Sequence, residues 1–155
     1  QSVSAAAAPQ TLRLDGIGPL KLGMTRTAAV RTGWLSGRGT GCPLGGPPLP
    51  ITYRLRGRAA PAGVTGTAQF EGGRLRVLSF SAGVRTAAGV TVGVTTPTQM
   101  VARYRARGFA AKASFSSTFQ GTFVDVTRRG ASVIGAFAEG KRVTSLALPA
   151  VPVCD

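Results

Sequence analysis

Histidine is absent from the 155 residues, cysteine occurs twice, and aspartate and glutamate together occur five times. Each shortage removes a class of chemistry. Without histidine the commonest general base at neutral pH is gone. The two cysteines form no CxxC spacing, so the usual Cys/His zinc sites are excluded. The five acids, Asp15, Glu71, Asp125, Glu139 and Asp155, are dispersed, whereas a calcium or magnesium site needs clustered oxygen ligands. Glu71 and Glu139 sit in turn sequences, where a turn role outweighs a catalytic one. Serine and threonine are plentiful, but no general base can be assigned to activate one. Gly37-Arg38-Gly39-Thr40-Gly41-Cys42-Pro43-Leu44-Gly45-Gly46 lacks the lysine and the order of a P-loop and reads as a surface loop. The inventory therefore predicts a non-enzyme with no catalytic residues, no metal and no cofactor.

Long apolar runs are missing as well. Apolar stretches are short and broken by Gly, Thr or Arg, far below the roughly 20 residues of a membrane-spanning helix. Residues 1–12 are rich in Ala, Ser, Gln and Pro, lack the basic and apolar regions of a signal peptide, and read as the N-terminal tail of a mature chain.

Positive charge is abundant. Nineteen Lys and Arg against five acids leave a formal charge of +14, and sixteen of the nineteen are Arg. A GC-rich genome would favour Arg, Ala, Gly and Pro codons without explaining the shortage of acids. The basic residues are spread as Arg54-x-Arg56-x-Arg58, Arg74-x-Arg76, Arg103-x-Arg105-x-Arg107 and Arg128-Arg129, which points to a folded surface rather than a disordered arm. A spacing of two on a strand puts side chains on one face. Arg54/Arg56 and Arg74/Arg76 are thus either a basic stripe that meets a polyanion or a solvated strand face.

The chain also echoes itself. Leu20-Lys21-Leu22-Gly23-Met24-Thr25 is matched by Val90-Thr91-Val92-Gly93-Val94-Thr95, and Glu71-Gly72-Gly73-Arg74-Leu75 by Glu139-Gly140-Lys141-Arg142-Val143. Thr25 is a candidate cap for a helix over 26–31 stopped by Gly33; in the second copy Thr95, the equivalent of Thr25, or else Thr96 caps a helix that has Pro97 at its first position and ends near Gly108. Thr67 to Phe70 and Arg74 to Ser81 read as a β-hairpin around Glu71-Gly72-Gly73. Strands are likewise expected over 51–56, 114–119, 122–127, 132–138 and 142–148. The expected fold class is α+β, with a tail (1–12) and two tandem repeats (13–83 and 84–155), each a short helix followed by a three- to four-stranded antiparallel meander, together forming a concave sheet.

The Gly23-Met24-Thr25 helix start, the helix-then-meander order and the tandem duplication resemble the superfamily of β-lactamase-inhibitor proteins and small outer-membrane-assembly lipoproteins. That resemblance implies a concave surface that grips another protein, with aromatic residues in the contact. The expected function is an exported binding protein, an inhibitor or regulator of a secreted or cell-envelope enzyme; the alternative is a basic module for envelope polyanions or, less favoured, nucleic acid. No RNP pattern, zinc finger or helix-turn-helix accompanies the charge. Candidate contact residues are Trp34, at a helix exit, and Tyr53, on a strand, with Arg54, Arg56, Arg74 and Arg76, because aromatic and Arg side chains dominate binding hot spots. Tyr104 with Met100, and Phe115, Phe119 and Phe123, are expected to fill cores.

A disulfide between Cys42 and the penultimate Cys154 is the natural reading of two cysteines and implies an oxidising, extracytoplasmic compartment. Closing so long a loop contributes about 4–5 kcal/mol in the chain-entropy treatment. Non-reducing peptide mapping should therefore recover a linked Cys42–Cys154 peptide, and reduction should lower the thermal midpoint. Two titratable thiols in the denatured, unreduced protein would refute the bridge.

Overall fold

The computed structural model describes residues 8–41 and 49–153; Cys42 and Cys154 lie outside the described residues. The elements in order are β1 (Gln10–Arg13), β2 (Gly16–Ile17), β3 (Leu20–Lys21), α1 (Arg26–Arg31), β4 (Ser36–Thr40), β5 (Ile51–Arg54), β6 (Thr65–Glu71) and β7 (Arg74–Ala82). There follow β8 (Val84–Thr86), α2 (Pro97–Arg105), β9 (Ala110–Ser116), β10 (Gly121–Arg128), β11 (Ala131–Ala138) and β12 (Ser145–Leu148). They form a four-stranded sheet, β3-β2-β1-β8, and an eight-stranded sheet, β4-β5-β6-β7-β12-β11-β10-β9.

This corrects the expected fold class. Over the described residues the chain is mostly β, with sheets of four and eight strands and two short helices, and is not an α+β arrangement of two helix-plus-meander repeats. The helices themselves end near where expected, after six and nine residues, with Gly33 and Gly108 at φ of 78° and 87° just beyond them. The reason is pairing that local pattern does not reveal: segments 10–21 and 84–86, where no strand is expected, join into the small sheet through a parallel β1–β8 ladder.

Local chemistry explains the individual elements. Thr25 caps α1 by accepting from the Ala28 amide at 3.2 Å. Thr96 and Gln99 close a reciprocal capping box on α2, at 3.2 and 3.0 Å. Gly72 and Gly73, at φ 58° and 76°, supply the left-handed pair that a tight two-residue hairpin turn requires between β6 and β7. The loop before α1 docks on β7: the Gly23 amide donates to the Leu75 carbonyl, and Leu75 donates back to Met24. Gly93 donates to Val143, which donates back to Thr95.

Along the large sheet every second residue faces one core. Ala68, Leu78, Phe80, Leu146, Ala136, Ile134, Val124 and Val126 are each at most 2% exposed, and the register sets them side by side, as in Leu78↔Leu148, Phe80↔Leu146, Leu146↔Ala136 and Ala136↔Val124. Met100 and Tyr104 of α2, Leu12, Ile17 and Leu20 of the small sheet, and Trp34 complete the same cluster. Among the described residues two polar side chains are buried with it, Thr86 and Thr95. Thr86 accepts from the Val90 amide and Thr95 from the Thr91 amide, so neither hydroxyl is left unpaired.

Phe80 sits where the two halves of the large sheet meet. Phe80→Ala is expected to cost about 3–5 kcal/mol in urea unfolding, the range for emptying a buried phenylalanine site, while Ser81→Ala, exposed on the same strand, should change little.

Candidate functional site

The residues singled out from sequence do not form one cluster. Trp34 is 7% exposed and its ring lies on Gly18, where a Cβ would come within 2.6 Å of it; it is a core residue and offers no ring to a partner. Tyr53 lies on the core side of β5, opposite Ala68, and packs edge-on against Phe70 at 5.7 Å between centroids. Arg54 and Arg56 are exposed and turn the other way. They line a shallow depression with Thr65, Thr67 and Ser81.

Arg74 and Arg76 are separated from that pair. Arg74 lies opposite Glu71 at the hairpin tip, four positions along β6 from Thr67, about 13 Å at the usual strand rise. Its Nη1 donates to the Gly23 carbonyl at 3.1 Å, which ties the tip to the loop before α1. Arg76 is the extra residue of a bulge, since Phe70 pairs with Leu75 and Gln69 with Val77. The expected four-arginine stripe is thus reduced to Arg54 and Arg56. The Cys42–Cys154 pair lies outside the described residues.

The sheet face turned away from the core carries more than those two arginines. Register places Arg54, Thr67, Ser79, Ala147, Gly135, Asp125 and Lys112 in one row across seven strands of this face. Two positions from Asp125 along β10 stands Phe123, and opposite it Phe137. Their rings are 4.9 Å apart, and Phe119 packs edge-on against Phe123 at 5.7 Å. Phe119 is 39% exposed and Phe115, whose side chain points to the opposite face, 69%. None of Phe115, Phe119 and Phe123 fills a second core, contrary to expectation.

Glycine shapes this face. At Gly121 a Cβ would meet the Phe137 ring at 2.3 Å, and at Gly135 it would meet the Val151 amide nitrogen at 2.9 Å. The missing side chains thus seat the aromatic ring and let residues 150–151 cross the sheet beside Ala147, which is 2% exposed. The aromatic group was legible in part: Phe123, Asp125 and Thr127 alternate with Val124 and Val126, so period two assigns Phe123 to the polar side. The place of Phe137 beside it follows only from the register.

Few carboxylates balance the basic charge. Among the described residues the one ion pair joins Arg13 to Asp15 at 3.0 Å. Asp125 accepts from the Ser132 hydroxyl at 2.9 Å and Glu71 from the Gln69 amide at 3.2 Å. No three of His, Cys, Asp and Glu gather as metal ligands among the described residues.

Comparison with protein-family profiles, with curated proteins and with solved structures finds no match for this chain. What the fold and this face define is a mostly-β protein with a basic and aromatic sheet surface opposite its core.

On the core side, burial pushes the Tyr104 phenol above its ordinary value of 10.0; the Thr86 hydrogen bond and the Arg107 charge oppose this more weakly. The fold thus favours the neutral phenol. Stability from this group is complete below the unfolded-state value and is lost as pH rises through the higher folded value. In an alkaline titration, Tyr104→Phe should remove the phenolate absorbance that develops above the ordinary tyrosine range.

Proposed function

We propose that the chain is a non-catalytic binding protein that grips a protein partner of acidic surface with the outer face of its eight-stranded sheet. The observation that carries this reading is the coexistence, on one face, of Arg54 and Arg56 with the mutually packed rings of Phe119, Phe123 and Phe137. Aromatic rings and guanidinium groups are the side chains that concentrate binding energy at protein interfaces. A face of this kind on a rigid sheet loses little conformational entropy on docking. The disulfide expected from the two cysteines supports a secreted or cell-envelope location, and the sequence resemblance to inhibitor proteins supports a secreted or envelope enzyme as the target.

A second reading, binding of an envelope polyanion, is favoured by the charge of +14 and by the scarcity of carboxylate partners for arginine. The two readings part on salt, because polyanion binding through released counterions weakens steeply as salt rises.

The test immobilises the oxidised protein beside Arg54→Glu/Arg56→Glu and Phe119→Ser variants of matched thermal midpoint. Each is exposed to culture filtrate and envelope extract of the source organism and washed at low and then about 0.5 M salt. One discrete protein held by the parent at both salts, and by neither variant, is the expected result. Anionic polymer lost at high salt, and lost from the arginine variant alone, would replace this reading with the second. Equal retention by all three proteins would remove the outer face from consideration.

A further inference from the structure

A cavity of about 390 Å³ opens where β1, β8 and the end of α2 converge, away from the outer face of the large sheet. Its volume falls within the range of about 300–1,000 Å³ usual for small-molecule sites. Leu12, Leu14, Ala88, Phe109 and the Tyr104 ring supply apolar lining, and Arg13, Arg107 and Arg128 stand around it.

Each guanidinium is held by something other than a ligand. Arg107 donates from Nη2 to the Ala87 carbonyl at 2.7 Å. Arg128 lies 4.3 Å over the Phe109 ring, a cation–π placement that orients the group without using its N–H donors. Arg13 is fastened by the Asp15 carboxylate and, at 2.9 Å, by the Gly18 carbonyl. A guanidinium has five donors, so all three keep donors to spare. Three positive groups surround this cavity, while Asp15 is the one carboxylate in an ion pair among the described residues. The uncompensated charge stands at the rim of a depression whose wall is apolar.

We propose that this cavity binds a small amphipathic organic anion, its apolar body against Leu12, Leu14 and Phe109 and its charged group between Arg107 and Arg128. An inorganic anion would leave the apolar wall wet, and a neutral apolar molecule would leave the guanidinium groups uncompensated.

The test is an NMR titration of the amide-labelled full chain with three probes, decanoate, 1-naphthoate and 2-naphthyl phosphate, and with decanol as uncharged control. Shift changes should concentrate at residues 12–14, 86–88, 104–109 and 128. Arg128→Gln should weaken the anions at least threefold, and Arg107→Ala/Arg128→Gln at least tenfold. Decanol binding should stay within twofold in both variants. Arg54→Glu/Arg56→Glu should leave all of these affinities unchanged, which separates this site from the outer face. Failure of all three anions to move those resonances at millimolar concentration overturns the proposal. So does anion binding that is indifferent to both arginine changes in variants whose spectra remain dispersed.

Discussion

The antiparallel pairing of β7 with β12 is the interaction on which the rest of the structure depends. It consists of three residue pairs, Leu78↔Leu148, Ser79↔Ala147 and Phe80↔Leu146, that join positions far apart in the chain. Without it the large sheet would be two separate four-stranded pieces, and the row from Arg54 to Lys112 would be interrupted at its centre. The side chains suit the junction on both faces. Leucine and phenylalanine bury apolar area on the core side, where each contributes about 1.5–3 kcal/mol toward the entropy of closing so long a loop. Serine and alanine on the other side keep the middle of the outer face low, and Gly135 beside Ala147 lets the C-terminal segment pass over it.

A second constraint is the shortage of carboxylates. Among the described residues Arg13 alone is ion-paired, to Asp15, and Arg13, Arg74, Arg103, Arg105 and Arg107 each donate to a backbone carbonyl. The carbonyls belong largely to irregular segments, so guanidinium groups pin loops: Arg103 and Arg107 hold 87–89 to α2, and Arg74 holds the hairpin tip to the loop before α1. A carbonyl satisfies hydrogen bonds but does not cancel charge. The field of +14 therefore remains available to the outer face and to the cavity beside α2, and it is the common reason that both are assigned partners of negative charge.

Much of the local structure was legible. Thr25 and Thr96 as caps, Pro97 at the start of α2, the glycine stops and the Gly72-Gly73 turn all follow from the chemistry of a few neighbouring residues. The fold class was not. Helix signals are sharp because caps are local, so two short helices stood out against strands whose number depends on partners elsewhere in the chain. Residues 10–13 become a strand only because 84–86 lies parallel to them. Trp34 shows the same limit at the level of one residue. At a helix exit it reads as an exposed contact, yet Gly18, sixteen positions earlier, leaves the space its ring occupies. Conversely, three phenylalanines in a β-rich segment read as core, and period two alone, applied to Phe123 and Asp125, would have turned one of them outward.

The sequence by itself determined the chemistry this protein can bring to bear: no histidine, few acids, abundant arginine, two cysteines, and the start and stop of each helix. Those are properties of composition and of neighbours within a turn or two, which need no knowledge of the remainder of the chain. Only the tertiary structure decided which arginines stay unpaired by carboxylate, which aromatic rings reach the surface, and that Arg54 and Phe137 share a face across five strands. The physical reason is that a side chain's exposure depends on strand register and on what packs across from it. Both are settled by pairings between segments that the local sequence does not bring together.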